Sequence, residues 1–271
     1  MSFNDIYNQE QQKAVLQRAM ETDRIAHAYL FHGMEGVGKK TAARVFAKAL
    51  NCRNGSIDSC DECPSCVKID HGTHPDVIIV APKGAFIKIE DIRNIHSQSQ
   101  FRPFEGEKRV FIMENADRMN EPSANALLKT LEEPNRSNIL ILVTSRPDLL
   151  PITIRSRCQK LRFSPVQKET VAMYLREKRS LDGKGADVIA SSSRGSIGKA
   201  VEMMDEAYLT FKNEVIEKIA GWDGSRDPLA FLSFADEFGN DKKDLSERLE
   251  ILKSWYRDML VFKETGETAA L

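Results

Sequence analysis

The stretch Gly33-Met34-Glu35-Gly36-Val37-Gly38-Lys39-Lys40-Thr41 departs by one residue from a phosphate-binding loop. Such a loop, G-x-x-x-x-G-K-[ST], sets backbone N–H groups around phosphate oxygens, a lysine on the β and γ phosphates and a hydroxyl on Mg²⁺. Gly33, Gly38 and Lys39 fit the pattern, with Gly36 inside it, but Lys40 stands where the hydroxyl belongs. Thr41 does not replace it, because one residue further along a helix is a rotation of about 100°. A second departure lies in Arg109-Val110-Phe111-Ile112-Met113-Glu114-Asn115. Nucleotide hydrolases with such a loop end a strand in an acidic pair that holds the metal and activates water. Glu114 is a methylene longer than aspartate, and the Asn115 amide cannot take a proton. Both departures predict a chain that keeps a phosphate cradle and hydrolyses ATP poorly.

A third group is Cys52, Cys60, Cys63 and Cys66, four of the five cysteines, spaced C-x7-C-x2-C-x2-C. In a reducing compartment clustered thiols hold metal more often than they form disulfides. Four thiolates complete a tetrahedral zinc shell, so the site is structural, and His71 and His74 are not needed as ligands. Pro64 and Ser65 are expected to form a tight knuckle between the last two cysteines, and Cys158 stands apart.

These residues need a scaffold. Residues 28 to 33, 76 to 82, 109 to 115, 138 to 145 and 159 to 163 read as strands apolar on both faces, which belong in a parallel sheet covered by helices. Residues 40 to 50, 88 to 99 and 121 to 133 have helical spacing, the last with Pro122 in its first turn. The alternation predicts a doubly wound α/β domain over residues 1–165, with the cysteine module of about residues 52–66 inserted. Beyond Pro165 only helices are expected: a small unit over 166–207, then a helical domain over 208–271. In the latter, Phe231, Leu232, Phe234, Ala235 and Phe238 make one apolar face, and Leu249, Leu252, Trp255, Tyr256, Met259 and Leu260 another, both expected to pack in a bundle. The last residues, Thr268 to Leu271, carry no helix stop signal, so the C-terminal domain is expected to be incomplete.

With 271 residues, 41% hydrophobic content and a formal charge of -1, the chain can bury real cores but has no overall attraction to nucleic acid or membrane. It lacks a run of about 18 apolar residues and a basic start, so a cytoplasmic protein without a membrane role is expected.

Residues 24 to 52, the four cysteines, His74-Pro75-Asp76-Val77, residues 121 to 134 and Ile154-Arg155-Ser156-Arg157-Cys158 together resemble a bacterial replicative clamp loader of the AAA+ class. The likeness covers residues 1 to about 205. It implies an AAA+ domain with a zinc module, a helical lid and a helical collar. Motor subunits of the γ/τ type carry the hydroxyl at Lys40, Asp-Glu at Glu114-Asn115 and an arginine at Gly198; all three are changed here, which resembles the δ′ type. That type implies a non-hydrolysing stator that works with γ/τ and δ subunits, and through them with the sliding clamp and primer-template DNA. Arg157 would act as a finger on a neighbouring subunit's ATP, and Ser145 matches the polar phosphate-sensing position. Zn²⁺ is the implied cofactor; the altered loop weakens the case for ATP or ADP, and more so for Mg²⁺. Two alternatives remain at this point: a working γ/τ-type motor, and a zinc-dependent nucleic-acid binder, against which the mixed-to-acidic residues 51 to 63 argue.

Overall fold

A computed structural model describes residues 1–55, 57–221, 228–238 and 242–266, which form two compact units, Met1–Gln167 and Lys168–Leu271. The first unit carries five strands, β1 (Ala28–Gly33), β2 (Val77–Val80), β3 (Arg109–Met113), β4 (Asn138–Thr144) and β5 (Gln159–Phe163). Its helices are α1 (Glu10–Glu21), α2 (Lys39–Leu50), α3 (Pro64–Asp70), α4 (Ile89–Ser99), α5 (Glu121–Glu132) and α6 (Ile152–Arg155). The strands make one sheet in the order β2-β3-β4-β1-β5, and every pairing is parallel.

Side-chain alternation along the strands feeds two cores. Tyr29 and Phe31 of β1 point to a face packed with Val45 and Phe46 of α2 and Leu16 of α1. Ala28 and Leu30 point to the other, with Ile92 and Ile95 of α4, Leu127 and Leu131 of α5 and Ile154 of α6. The central strands β3 and β4 are buried along their whole length, as doubly covered strands should be. The edge strands depart from that expectation: β5 exposes Gln159, Lys160 and Arg162, and β2 exposes Ile79. An edge strand has a neighbour on one side only, so part of each face is left uncovered.

The segment Pro64-Ser65 is not a knuckle. Cys63 caps α3, Pro64 sits in its first turn, and Cys66 lies inside the helix. Proline suits that turn because its missing N–H would have no helical partner.

The second unit holds α7 (Lys168–Arg179), α8 (Gly183–Ser193), α9 (Ile197–Glu202), α10 (Glu206–Ala220), α11 (Pro228–Phe238) and α12 (Lys242–Thr265). Among the described residues, Val215, Phe238 and Ile251 are buried together, with Phe234 and Leu252 packed against them. The two apolar faces read from the sequence are only partly covered, since Leu232, Leu249, Tyr256 and Leu260 are exposed. The tail Thr268–Leu271 lies outside the described residues. No helix among the described residues is long and apolar enough to cross a membrane.

The first unit is braced by a buried ionic network where β3 begins. The Asp76 carboxylate, fully buried, accepts the backbone N–H groups of Phe104, Glu105 and Gly106 and pairs with Arg109 at 2.9 Å. Arg109 in turn donates to the carbonyls of Gln98, Phe101 and Arg102, so one ion pair fixes the loop from α4 to β3. Burial alone would raise the Asp76 carboxyl, but the N–H groups of Glu105, Gly106 and Phe104 and the Arg109 guanidinium hold it below its ordinary 3.8. A carboxyl depressed in the folded state contributes stability that is complete above about pH 5 and is lost as pH falls through the folded value. Asp76→Asn should therefore cost about 3 to 5 kcal/mol by stranding the buried guanidinium, and should flatten the acid limb of stability. Urea unfolding of both chains from neutral to acid pH measures this.

Candidate functional site

Because all five strands run the same way, the loops after β1, β3 and β4 meet at one edge of the sheet. Gly33 opens the phosphate loop with φ +146°, and a Cβ there would sit 2.2 Å from the Phe163 carbonyl oxygen of β5. Glycine at this position is demanded by the neighbouring strand before any ligand is considered. Gly38, at φ +98°, turns the chain into α2 in the left-handed region where glycine carries no steric penalty.

Lys39 is buried and folds back on its own loop, donating to the carbonyls of Gly33 at 2.7 Å and Met34 at 2.6 Å. Burial is the main reason its ammonium is held down to about 8, and the nearby Lys40 charge adds to it. Lys40 reaches across to β3: its Nζ lies 2.8 Å from Glu114 Oε2, while Arg44 Nη2 approaches Oε1 at 3.5 Å. The two residues that break the hydrolase pattern are therefore partners. An ammonium meets the carboxylate that in a metal-dependent site would face the cation. Thr41 is half-buried in the first turn of α2.

Asn115 follows Glu114 in the left-handed region, φ +51°, a conformation asparagine tolerates, and starts the turn that carries Asp117 inward. Asp117 accepts Thr144 Oγ1 at 2.5 Å and Arg146 Nη2 at 2.9 Å. Thr144 is the last residue of β4 and is buried, whereas Ser145 next to it is exposed. Asp117 and Thr144 break no motif in the sequence; the usable signal is an acid four residues beyond an apolar strand.

The opposite edge of the sheet holds the cysteines. The four Sγ atoms of Cys52, Cys60, Cys63 and Cys66 lie within 4.8 Å of one another. A tetrahedral thiolate shell with bonds near 2.3 Å needs sulfurs about 3.8 Å apart, so the cluster fits a metal ion after a small contraction. Backbone N–H groups already point at the sulfurs, Cys63 N to Cys60 Sγ at 3.3 Å and Cys66 N to Cys63 Sγ at 3.5 Å. Burial raises the Cys52 and Cys66 thiols; on Cys63 burial is outweighed by backbone hydrogen bonds with Cys66 and Arg53, which bring it down to about 6. The module is fastened on two sides. Lys48 of α2, fully buried, meets Asp61 at 2.6 Å and Asp70 at 2.5 Å. Ser65 Oγ lies 3.0 Å from His74 Nε2, and His74 Nδ1 accepts the Asp76 N–H at 3.1 Å. The proton is thus on Nε2, and burial lowers the His74 value, so the ring is a neutral strut and not a ligand. His71 is exposed.

Arg157 also lies at this edge, two residues before β5, with its side chain 37% exposed. Cys158 beside it is buried in the core, which pushes its thiol up to about 12.

A family model described as DNA polymerase III, delta subunit, matches residues 8–167. The chain belongs to this family. It is 33% identical to the DNA polymerase III subunit delta′ of Bacillus subtilis, over 91% of this chain and 75% of that protein. Subunit tau of the same organism is 30% identical over 96% of this chain, but only 50% of tau is spanned. The family match and the fuller coverage favour the delta′ type over tau/gamma. Among solved structures, the Thermotoga maritima RuvB Holliday junction branch migration motor aligns with TM-score 0.52 and 17% identity, covering 98% of this chain and 84% of its own. At that identity the likeness is one of fold.

The Lys39 environment gives a measurable signature. The unfolded chain keeps this proton up to about pH 10.5 and the folded chain releases it near 8, so between those values the unfolded state binds more protons and stability rises with pH. Chemical denaturation at pH 8 and pH 10 should show a smaller rise, or a steeper fall, in Lys39→Met than in the parent. Equal pH dependence in the two chains would show that Lys39 is not held down.

Proposed function

We propose that the chain is a δ′-type stator of a replicative clamp loader, an AAA+ subunit that helps place a sliding clamp on primer-template DNA without hydrolysing ATP itself. In this reading Arg157 acts in trans on ATP held by a neighbouring γ/τ-type motor, and the chain also contacts a δ-type subunit. Residues 166–207 serve as a lid and residues 208–271 contribute to a helical collar.

The observation that carries the reading is the polarity of the sheet. Arg157 precedes β5 while the phosphate loop follows β1, the strand paired in parallel with it. Five residues of strand at about 3.3 Å each separate the two edges by roughly 16 Å. An arginine so placed is out of reach of its own loop and available to another chain's. Its permanent charge and planar fork suit the charge that grows on a transferring phosphoryl group.

The chain's own site is the complement. Lys40 neutralises Glu114, Asn115 offers no base, and Lys39 is satisfied by loop carbonyls. The Gly33, Gly36 and Gly38 backbone with Lys39 could still cradle the phosphates of ATP or ADP, while Mg²⁺ would have to displace Lys40. The alternative of a working γ/τ-type motor requires that displacement and a replacement base. Ser145 or Thr144 would serve as the polar group toward phosphate; burial of Thr144 against Asp117 favours Thr144.

In the cysteine module Cys52, Cys60, Cys63 and Cys66 would hold one Zn²⁺, whose role is to cross-link the segment, since four thiolates leave no open position for water. Metal analysis should return about one zinc per chain. Cys63→Ser or chelation should lower stability by several kcal/mol, because metal binding and folding of the module are linked. Unchanged metal content in Cys63→Ser would remove the assignment.

For the arginine, complexes reconstituted with motor and δ-type partners and either the parent chain, Arg157→Ala or Arg157→Lys are compared in clamp- and DNA-stimulated ATP hydrolysis. Fingers contribute about 10³ to 10⁵ at their own site, and one site of several is affected, so the total falls by less. Lysine should rescue only in part. Full activity of a correctly assembled alanine complex would refute the trans role.

A further inference from the structure

Arg157 is held at two corners of its guanidinium. Nη1 donates to the Thr153 carbonyl at 2.9 Å, and Nη2 donates to Glu132 Oε1 at 2.8 Å. Ser156 Oγ donates to the same Thr153 carbonyl at 3.2 Å, and Cys158 is sunk in the core, so the backbone on both sides of Arg157 is tied down. The two bonds use two of the five N–H donors of the fork and leave the rest free to face outward.

The position of Glu132 is unexplained by its own helix. It is the last residue of α5, where a carboxylate meets the negative end of the helix dipole, an arrangement that costs about 0.3 to 1 kcal/mol. Helix α5 is secured elsewhere, by Asn120 accepting the Ser123 N–H and by Leu127 and Leu131 in the core. Glu132 is half exposed, and its partner among the described residues is Arg157. The acid is a cost to the helix and a support to the arginine.

From this geometry we infer that Glu132 is a positioning residue for Arg157, holding the fork so that its remaining donors are presented to the phosphate oxygens of a neighbouring subunit's nucleotide. The inference rests on the trans role of Arg157. A free arginine side chain carries about 2 kcal/mol of rotamer entropy, and a misplacement of about 1 Å in a charge-stabilising group is enough to lower a rate. Holding the fork before assembly removes part of that cost. The neutralising effect of the Glu132 charge is weak because both groups face water.

The test uses the reconstituted complex with parent chain, Glu132→Ala, Glu132→Gln, Arg157→Ala and the Glu132→Ala/Arg157→Ala double variant. ATP hydrolysis, KM for ATP and subunit stoichiometry are measured for each. Glu132→Ala should lower kcat about three- to fivefold with unchanged stoichiometry, the range expected from losing one exposed charge-assisted contact. Glu132→Gln, whose amide oxygen still accepts from Nη2, should stay within about twofold of the parent. In the Arg157→Ala background, Glu132→Ala should have no further effect. Three results overturn the inference: unchanged or faster hydrolysis in Glu132→Ala, an equal loss in the Arg157→Ala background, or loss of assembly in Glu132→Ala. Failure of Arg157→Ala to lower hydrolysis would instead overturn the trans role itself, so the two failures are distinguishable.

Discussion

The direction of the strands governs everything else in the first unit. Five parallel strands need crossovers that return the chain to the same starting edge each time, and helices α2, α4 and α5 supply that return. One edge of the sheet therefore collects every strand end and the other every strand beginning. The ends carry the phosphate loop, Glu114 and the Thr144–Asp117 pair; the beginnings carry the cysteine cluster, the Asp76–Arg109 network and Arg157. The phosphate loop and Arg157 are thereby separated by the length of a strand. No choice of side chains alone could achieve that separation.

At the edge of strand beginnings the chain spends ionic groups in buried positions. Lys48 with Asp61 and Asp70, and Arg109 with Asp76, are costly to desolvate and are tolerated because nearly every donor and acceptor finds a partner. They link elements distant in sequence: Lys48 joins α2 to the cysteine module, and His74 joins α3 to the start of β2 and, through Asp76, to the loop before β3. The module is thereby a fixed part of the sheet edge and not an appendage on a linker.

The sequence discloses the strands nearly to the residue because β1, β3 and β4 are apolar on both faces and bounded by polar residues. It misjudges the edges, where burial depends on neighbours and not on the strand itself. Helix α3 is hidden because its seven residues are read as ligand spacing before they are read as a helix. Lys40 and Glu114 are each visible as departures from a pattern, but their contact spans 74 positions and depends on how α2 lies over β3. The choice between Thr144 and Ser145 turns on where β4 ends, a boundary that composition does not fix. In the second unit, periodicity locates the helices, and the exposure of Leu232, Leu249 and Leu260 shows that a stripe of apolar residues does not say what covers it.

The pairing of Lys40 with Glu114 also changes how the site responds to its surroundings. Occupancy of a metal site follows mass action and rises and falls with the free ion. An ammonium tethered to α2 cannot diffuse away, so its local concentration is set by the backbone and not by the solution. A divalent cation would reach Glu114 only by displacing that ammonium. The charge balance of this corner is therefore held within the chain itself.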